Sequence, residues 1–133
     1  MFTPLRYESG KMMKLPLAIS QTIVKGTALV WASGYLSIGT TTSTDVRFVA
    51  MEDVTTSASE HTEILVLPVE GVEFEVGCDG VVSIVDRGTY ADLATGATIN
   101  PDLSSYDAFY ISEIVGTEEV STTVRGHFVH ALE

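Results

Sequence analysis

The sequence has 133 residues, enough for one domain with a hydrophobic core and too few for two ordinary domains. Hydrophobic residues make up 45% of the chain and charged residues 19%, which excludes an intrinsically disordered protein. The net charge is −11; four basic residues against Glu8 give residues 1–25 a charge of +3 and leave −14 on the remainder. Because an acidic body repels phosphate backbones, we expect no nucleic acid among its partners.

Signals for export, membrane insertion and covalent cross-linking are missing from the sequence. No apolar run approaches the roughly 20 residues that span a bilayer, and the N-terminus lacks the charged start and apolar core of a secretory signal. The single cysteine, Cys78, cannot form an intrachain disulfide, and no Cys/His cluster has zinc spacing. We therefore expect synthesis in a reducing cytoplasm, no membrane partner, no metal and no cofactor.

Residues 1–14, MFTPLRYESGKMMK, form a leading segment without β alternation. A disordered terminus is one interpretation of this segment. The other is an N-terminal arm that becomes ordered on a partner, because the segment is basic and aromatic, Met and Arg side chains are favoured in interfaces. The residues that would make such contacts are Phe2, Leu5, Arg6, Tyr7, Lys11, Met12, Met13 and Lys14.

From Leu15 onward, short runs rich in Val, Ile and Thr alternate with Gly, Ser, Asp and Asn, which predicts strands joined by turns. No window has apolar residues at the 3.6-residue period of a long amphipathic helix. In the run VRFVAM at 46–51, both faces of the predicted strand are largely apolar, although one carries Arg47. Such a strand is buried on both sides, or is buried on one side and docks against a partner on the other.

The stretch KGTALVWASG, which begins at Lys25, is echoed by RGTYADLATG, which begins at Arg87. Further matches at an offset near 62 residues pair Phe48 with Phe109 and Glu52 with Glu113. Coincidence among Gly- and Thr-rich strands is the alternative to a duplication. We predict a mostly β protein: one small β-barrel or β-sandwich domain over residues 15–133, with pseudo-repeats at about 15–70 and 78–132, behind an extended arm of residues 1–14.

Potentially catalytic groups are present but are not spaced for catalysis. His127 and His130 are three residues apart, and residues three apart on a strand face opposite sides, so they cannot share one metal ion. Cys78 has no histidine near it in the sequence to activate its thiol. No nucleotide-binding, hydrolase or metalloprotease motif occurs. We predict a protein that is not an enzyme and has no catalytic residues; a small hydrolase using Cys78 or His127 is the alternative.

The segment GTALVWASGYLSIGTTTSTDVRFVAMEDVTTSASEHTEILVLPVEGVEFE resembles the head-decoration, or capsid cement, proteins of tailed double-stranded DNA phages. The shared features are a G-x-x-L-V strand, an apolar V-A-M-E strand after a Thr/Ser-rich loop, and I-L-V-L followed by G-V-E-F. The likeness is best over residues 15–76. It implies a β-rich domain on the outside of an icosahedral head, where it cements subunits of the major capsid protein against internal pressure.

The resemblance also implies a homotrimer at three-fold or quasi-three-fold positions of the head. The protein would be made in the host cytoplasm and reside on the outer surface of the capsid in the virion, with its N-terminal arm bound to the shell. Strands with two apolar faces, at 46–51 and 108–111, are candidates for contacts between copies. The candidate trimer-interface residues are Trp31, Tyr35, Val49, Met51 and Tyr110.

A second hypothesis is a sugar- or receptor-binding β-module of a phage head or tail fibre. Aromatic platforms bind sugars, and Trp31, Tyr35 and Tyr90 are candidates for such a platform. The alternative for these three side chains is a place in the core or in the seam of a trimer.

Overall fold

Short apolar and β-branched runs form thirteen strands within residues 1–129, the part of the chain that the computed structural model describes. Strands make up 43% of the structure and helices 5%, so the prediction of a mostly β protein is confirmed. The helical residues form two 3-10 turns, Ser9–Lys11 and Ile84–Asp86. The strands are β1 (Thr3–Pro4), β2 (Met13–Pro16), β3 (Thr22–Ile23), β4 (Ala28–Ala32), β5 (Tyr35–Ile38), β6 (Phe48–Ala50), β7 (Val54–Thr55), β8 (Glu63–Pro68), β9 (Phe74–Cys78), β10 (Tyr90–Thr95), β11 (Thr98–Asn100), β12 (Phe109–Ile114) and β13 (Thr123–Phe128).

The strands form two large sheets and one small one. The first large sheet has the order β2-β8-β6-β4-β5. The second has the order β1-β9-β11-β10-β12-β13, and β13 also pairs with β9, which closes five of its strands into a barrel. Strands β3 and β7 pair with each other in the small sheet. The prediction of a small single domain built on a β-barrel is confirmed.

The two large sheets repeat one strand order and one register. Strands β2, β8, β6, β4 and β5 hold the positions that β9, β13, β12, β10 and β11 hold in the barrel. We call residues 13–69 the first half and residues 74–129 the second half. The equivalent rows, each read across three strands, are Leu29–Phe48–Pro68 in the first half and Ala91–Phe109–Phe128 in the second.

Both halves are closed by a parallel contact at the same place. In the second half, β9 and β11 run parallel with Cys78 opposite Ile99. In the first half, the closure is one parallel bridge between Leu17 and Leu36, beside which the Ala18 N–H donates to the Leu36 carbonyl at 2.8 Å. The first half is therefore a barrel of the same plan with a shorter seam.

The echoed Gly-Thr pair forms the same turn twice. Gly26 and Gly88 have φ angles of 89° and 86°, in the left-handed region where a side chain is strained. The Thr27 hydroxyl donates to the carbonyl three residues earlier at 2.7 Å, and the Thr89 hydroxyl does the same at 2.6 Å. The sequence echo thus marks a shared local geometry at the start of equivalent strands.

The second half packs end-on against the outside of the first half. Ala28, Val49 and Leu67 lie side by side across the first half and are at most 1% exposed. They belong to the same hydrophobic cluster as the interior of the second half. The prediction that Val49 lies at a trimer interface is therefore wrong, because the chain covers this side chain itself.

The β10–β11 hairpin makes a close contact between the halves. The Ala28 N–H donates to the Gly96 carbonyl at 2.7 Å. A Cβ atom on Gly96 would lie 2.5 Å from Ile38 Cγ2, and one on Gly39 would lie 2.8 Å from Leu93 Cδ1. Side chains at either glycine would therefore push the two halves apart.

Phe2 fixes the leading segment in the core of the second half. Its fully buried ring lies among Phe74, Phe109 and Phe128, at centroid distances of 6.4, 5.7 and 4.7 Å. Its N–H donates to the Gly26 carbonyl at 2.8 Å. The prediction that Phe2 contacts a capsid is wrong, because the protein's own aromatic cluster holds the ring.

The leading segment continues along the domain surface after Phe2. Strand β1 pairs with β9, with Thr3 opposite Glu75. Met13 and Lys14, which the sequence assigned to the arm, are the first residues of β2 and pair with Val66 and Leu65. The repeated plan thus begins two residues earlier than predicted.

We expect Phe2→Ala to lower the free energy of unfolding by about 3–5 kcal/mol, because it removes a fully buried ring and leaves a cavity. Denaturant titration followed by Trp fluorescence measures the change. Tyr7→Ala is the matched control, since Tyr7 is 43% exposed, and it should cost less than about 0.5 kcal/mol. Equal denaturation midpoints for Phe2→Ala and wild type would contradict the burial of Phe2.

Candidate interaction surfaces

The leading segment presents cations beside a broad groove. Arg6, Tyr7 and Lys11 are exposed and line one side of an open groove of about 700 Å³, with the 70–72 turn on the other side. Leu5 and Met12 are half-buried, and Met12 packs against the core. The predicted arm contacts that lie on the surface are Arg6, Tyr7, Lys11, Met13 and Lys14.

Trp31 and its neighbours form an apolar end of the first half, which we call the first-half edge (Trp31, Phe48 and Pro68). Trp31 is 46% exposed and packs edge-on against Phe48, with ring centroids 5.7 Å apart. These side chains line an open depression of about 270 Å³. Asp45 and Arg47, joined by an ion pair at 2.7 Å, lie on its margin. The depression can take apolar side chains in contact with the indole.

Tyr35 is half-buried and is stacked on His61. The two rings are 3.6 Å apart at an interplanar angle of 9°. His61 Nδ1 is 2.9 Å from the Leu17 carbonyl oxygen, which fixes the imidazole. One face of Tyr35 is therefore occupied within the chain.

A second aromatic surface, which we call the tyrosine row, crosses the outside of the second half at Tyr90, Tyr110 and His127. The three residues are paired in register across β10, β12 and β13. The ring centroids of Tyr90 and Tyr110 are 5.3 Å apart, and those of Tyr110 and His127 are 5.1 Å apart. Tyr90 is 44% exposed, His127 is exposed and Tyr110 is half-buried.

The five candidate trimer-interface residues are not gathered on one surface. Trp31 lies on the first-half edge and Tyr110 on the tyrosine row. Met51 is half-buried and lines a cavity of about 150 Å³ beside Met1. The sequence suggested Val49 and Met51 because both faces of their strand are largely apolar, yet the chain itself covers both faces: Val49 and Ala50, which point to opposite sides, are fully buried.

Asp92 is a buried acid that the sequence analysis did not single out. It is 3% exposed, and its carboxylate accepts backbone N–H bonds from Ser105, Tyr106 and Asp107 at 3.1, 2.7 and 2.9 Å. These bonds shape the 102–107 loop beside Tyr90. The signal available in the sequence was Asp92 itself, a polar residue between apolar ones in YADLAT. Its hydrogen-bond partners could not be identified in the same way, because they lie 13 to 15 residues away.

The nucleophile candidates are spread over the fold. Burial, with the carboxylate of Asp86 as the second cause, raises the pKa of the half-buried Cys78 thiol to about 12. The thiol is therefore protonated at neutral pH, which makes it a weak nucleophile. His127 lies on the tyrosine row, and His130 lies outside the described residues.

At pH 8 the Cys78 thiol of the folded protein should react with a thiol reagent on the order of 10- to 100-fold more slowly than free cysteine. The cause is the small thiolate fraction, so the rate should recover in denaturant; absorbance of the released chromophore measures it. Because the folded pKa is above the ordinary value of 9.0, stability due to the neutral thiol is complete below pH 9 and is lost as the pH rises toward 12. A folded rate equal to that of free cysteine would disprove this account.

Across residues 1–129, no helix is long and apolar enough to cross a bilayer, and no group of three or more His, Cys, Asp or Glu side chains is arranged to hold a metal ion. In comparisons with known proteins, no family model, no curated protein and no solved structure matches the chain.

Proposed function

We propose that the chain is a structural virion protein that binds the outside of an icosahedral phage head. It cements subunits of the major capsid protein against internal pressure, as a homotrimer at three-fold or quasi-three-fold positions. The observation that carries the proposal is a double barrel, joined by one hydrophobic cluster, that presents two exposed aromatic surfaces, the first-half edge and the tyrosine row. The sequence resemblance to capsid cement proteins supports the same conclusion.

A cement protein needs a body that resists deformation and apolar surfaces for its neighbours. The core supports the first requirement, because one hydrophobic cluster joins the two halves and includes fully buried Phe2, Phe74 and Phe109. The two aromatic surfaces support the second, since Trp and Tyr carry much of the binding energy in protein interfaces. Many copies on one shell add their contacts, so a single strong pocket is not required.

The leading segment is the part that we assign to the shell. Phe2 holds its start in the core, while Arg6, Lys11 and Lys14 remain exposed. A cationic strip on an otherwise acidic body suits an acidic surface of the major capsid protein, because complementary charge speeds and orients docking.

A sugar- or receptor-binding module is the second candidate, and the exposure of Trp31 favours it. The stacking of His61 on Tyr35 counts against it, because that ring face is covered and cannot receive a sugar. A glycan array separates the two functions. Binding of the free protein to a glycan, abolished by Trp31→Ala, would support the module over the cement.

Deleting the gene for this chain from its phage should yield heads that rupture at a lower temperature and lack outer density at three-fold or quasi-three-fold positions. Purified chain added back should restore both the density and the heat resistance. Cryo-electron microscopy and a thermal release assay for DNA measure these outcomes. Heads with unchanged outer density and unchanged heat resistance would refute the proposed function.

Reversing the charge of the leading segment should weaken binding to such heads. We expect Arg6→Glu with Lys11→Glu to bind roughly tenfold or more weakly in a co-sedimentation assay, with the loss growing at low salt. Arg87→Glu is the control for a surface charge outside this segment, since Arg87 is exposed in the second half. Equal binding by the double variant and wild type would remove the leading segment from the docking surface.

A further inference from the structure

The contact between the two halves is asymmetric. The end of the second half, with the β10–β11 hairpin, packs onto the outer face of the first half. Gly96 at the hairpin tip meets Ile38 and Thr27, and fully buried Leu93 meets Gly39. The second half therefore contributes its end to the contact, and the first half contributes its outer face.

The first half has an equivalent end, at the β4–β5 hairpin, but within residues 1–129 this end does not pack onto another barrel. By register, Trp31 is the equivalent of Leu93: it lies two residues after Leu29, as Leu93 lies two after Ala91. Leu93 is fully buried, whereas Trp31 is 46% exposed. A Cβ atom on Gly34, at the tip of the β4–β5 hairpin, would have no heavy atom within 4 Å, in contrast to Gly96.

The second half has the same outer face and leaves it uncovered among the described residues. Register makes the tyrosine row equivalent to the row Ala28–Val49–Leu67. The first-half row is at most 1% exposed because the second half covers it. Tyr90, at the position of Ala28, is 44% exposed, and a shallow pocket lies along Tyr90, Tyr110 and His127.

We propose that the first-half edge of one copy packs onto the tyrosine row of a second copy, repeating between chains the contact that joins the halves within a chain. The edge supplies Trp31 and Phe48, and the row supplies two tyrosine rings and an imidazole that lie in register. Aromatic side chains gain both from burial and from edge-to-face contacts, so the pairing is chemically matched. On the margin of the edge Asp45 is paired with Arg47, and Glu70 would supply His127 with an acidic neighbour.

Such a contact is head-to-tail, so an open assembly of any length keeps one free edge at one end and one free row at the other until a ring closes. A ring of three copies would contain six barrels of one plan in alternation. This copy number rests on the proposed function, whereas the paired surfaces rest on the internal contact.

Two variants and their mixture test the pairing without any capsid. Wild type should have three times the 14.3 kDa chain mass by analytical ultracentrifugation. Trp31→Lys blocks the edge and Tyr90→Lys blocks the row, so each should be monomeric. An equimolar mixture should form a dimer and grow no further, because it pairs the intact edge of one variant with the intact row of the other.

Val120→Lys is the control, since Val120 is 71% exposed in the loop before β13, and it should keep the wild-type mass. Circular dichroism verifies folding, and Trp31→Ala, which removes the exposed indole from the same edge, replaces Trp31→Lys if that variant does not fold. A wild type that stays monomeric at all concentrations, variants that keep the wild-type mass, or a mixture that stays monomeric would each overturn the pairing.

The same proteins separate this inference from the proposed function. Wild type that binds heads while the mass pattern fails would overturn the pairing and leave the cement function standing. The expected mass pattern with no binding to heads would support the pairing and overturn the cement function.

Discussion

The packing of the second half's end against the outer face of the first half is the contact on which the rest of the structure depends. It joins the outer face of the first half and the interior of the second half in one cluster of buried side chains, which includes residues as distant in sequence as Phe2, Val49 and Phe128. The interior of the first half forms a second cluster. Burial of this kind is the main favourable term in folding. The same contact decides which surfaces stay open, because an asymmetric union of two similar units always leaves one end and one face without a partner.

The two halves share one pairing pattern but differ in the size of the side chains at equivalent positions. Ala50 lies opposite Val66 in the first half, whereas Ile111 lies opposite Gly126 in the second. A Cβ atom on Gly126 would collide with the Tyr110 carbonyl oxygen, so only Ile111 of this pair can carry a side chain. Interiors are packed closely enough that such exchanges have to be compensated locally.

Much of the fold could be predicted from local patterns. Period-two alternation predicted the strands, and the echo of Gly26-Thr27 at Gly88-Thr89 predicted the repeated turn because a left-handed turn constrains residue type strongly. The surfaces could not be predicted in the same way. A strand with two apolar faces, such as the one around Val49, gives the same signal whether its partner is its own chain or another. Phe2 was misplaced for the same reason, and the tyrosine row needs the register of three strands, which sequence alone does not supply.

The position of Phe2 also constrains the order in which the chain can complete its fold. Its ring partners Phe109 and Phe128 are synthesised more than one hundred residues later, so Phe2 reaches its place only after β13 has been made. Contacts of such long sequence separation slow folding, because the loop must close before the contact contributes. All five strands of the first half are complete by Pro68, so it can form on the ribosome while its outer face is still uncovered. The nascent chain thus exposes that apolar face until the strands of the second half have been synthesised, and aggregation competes with folding during this interval.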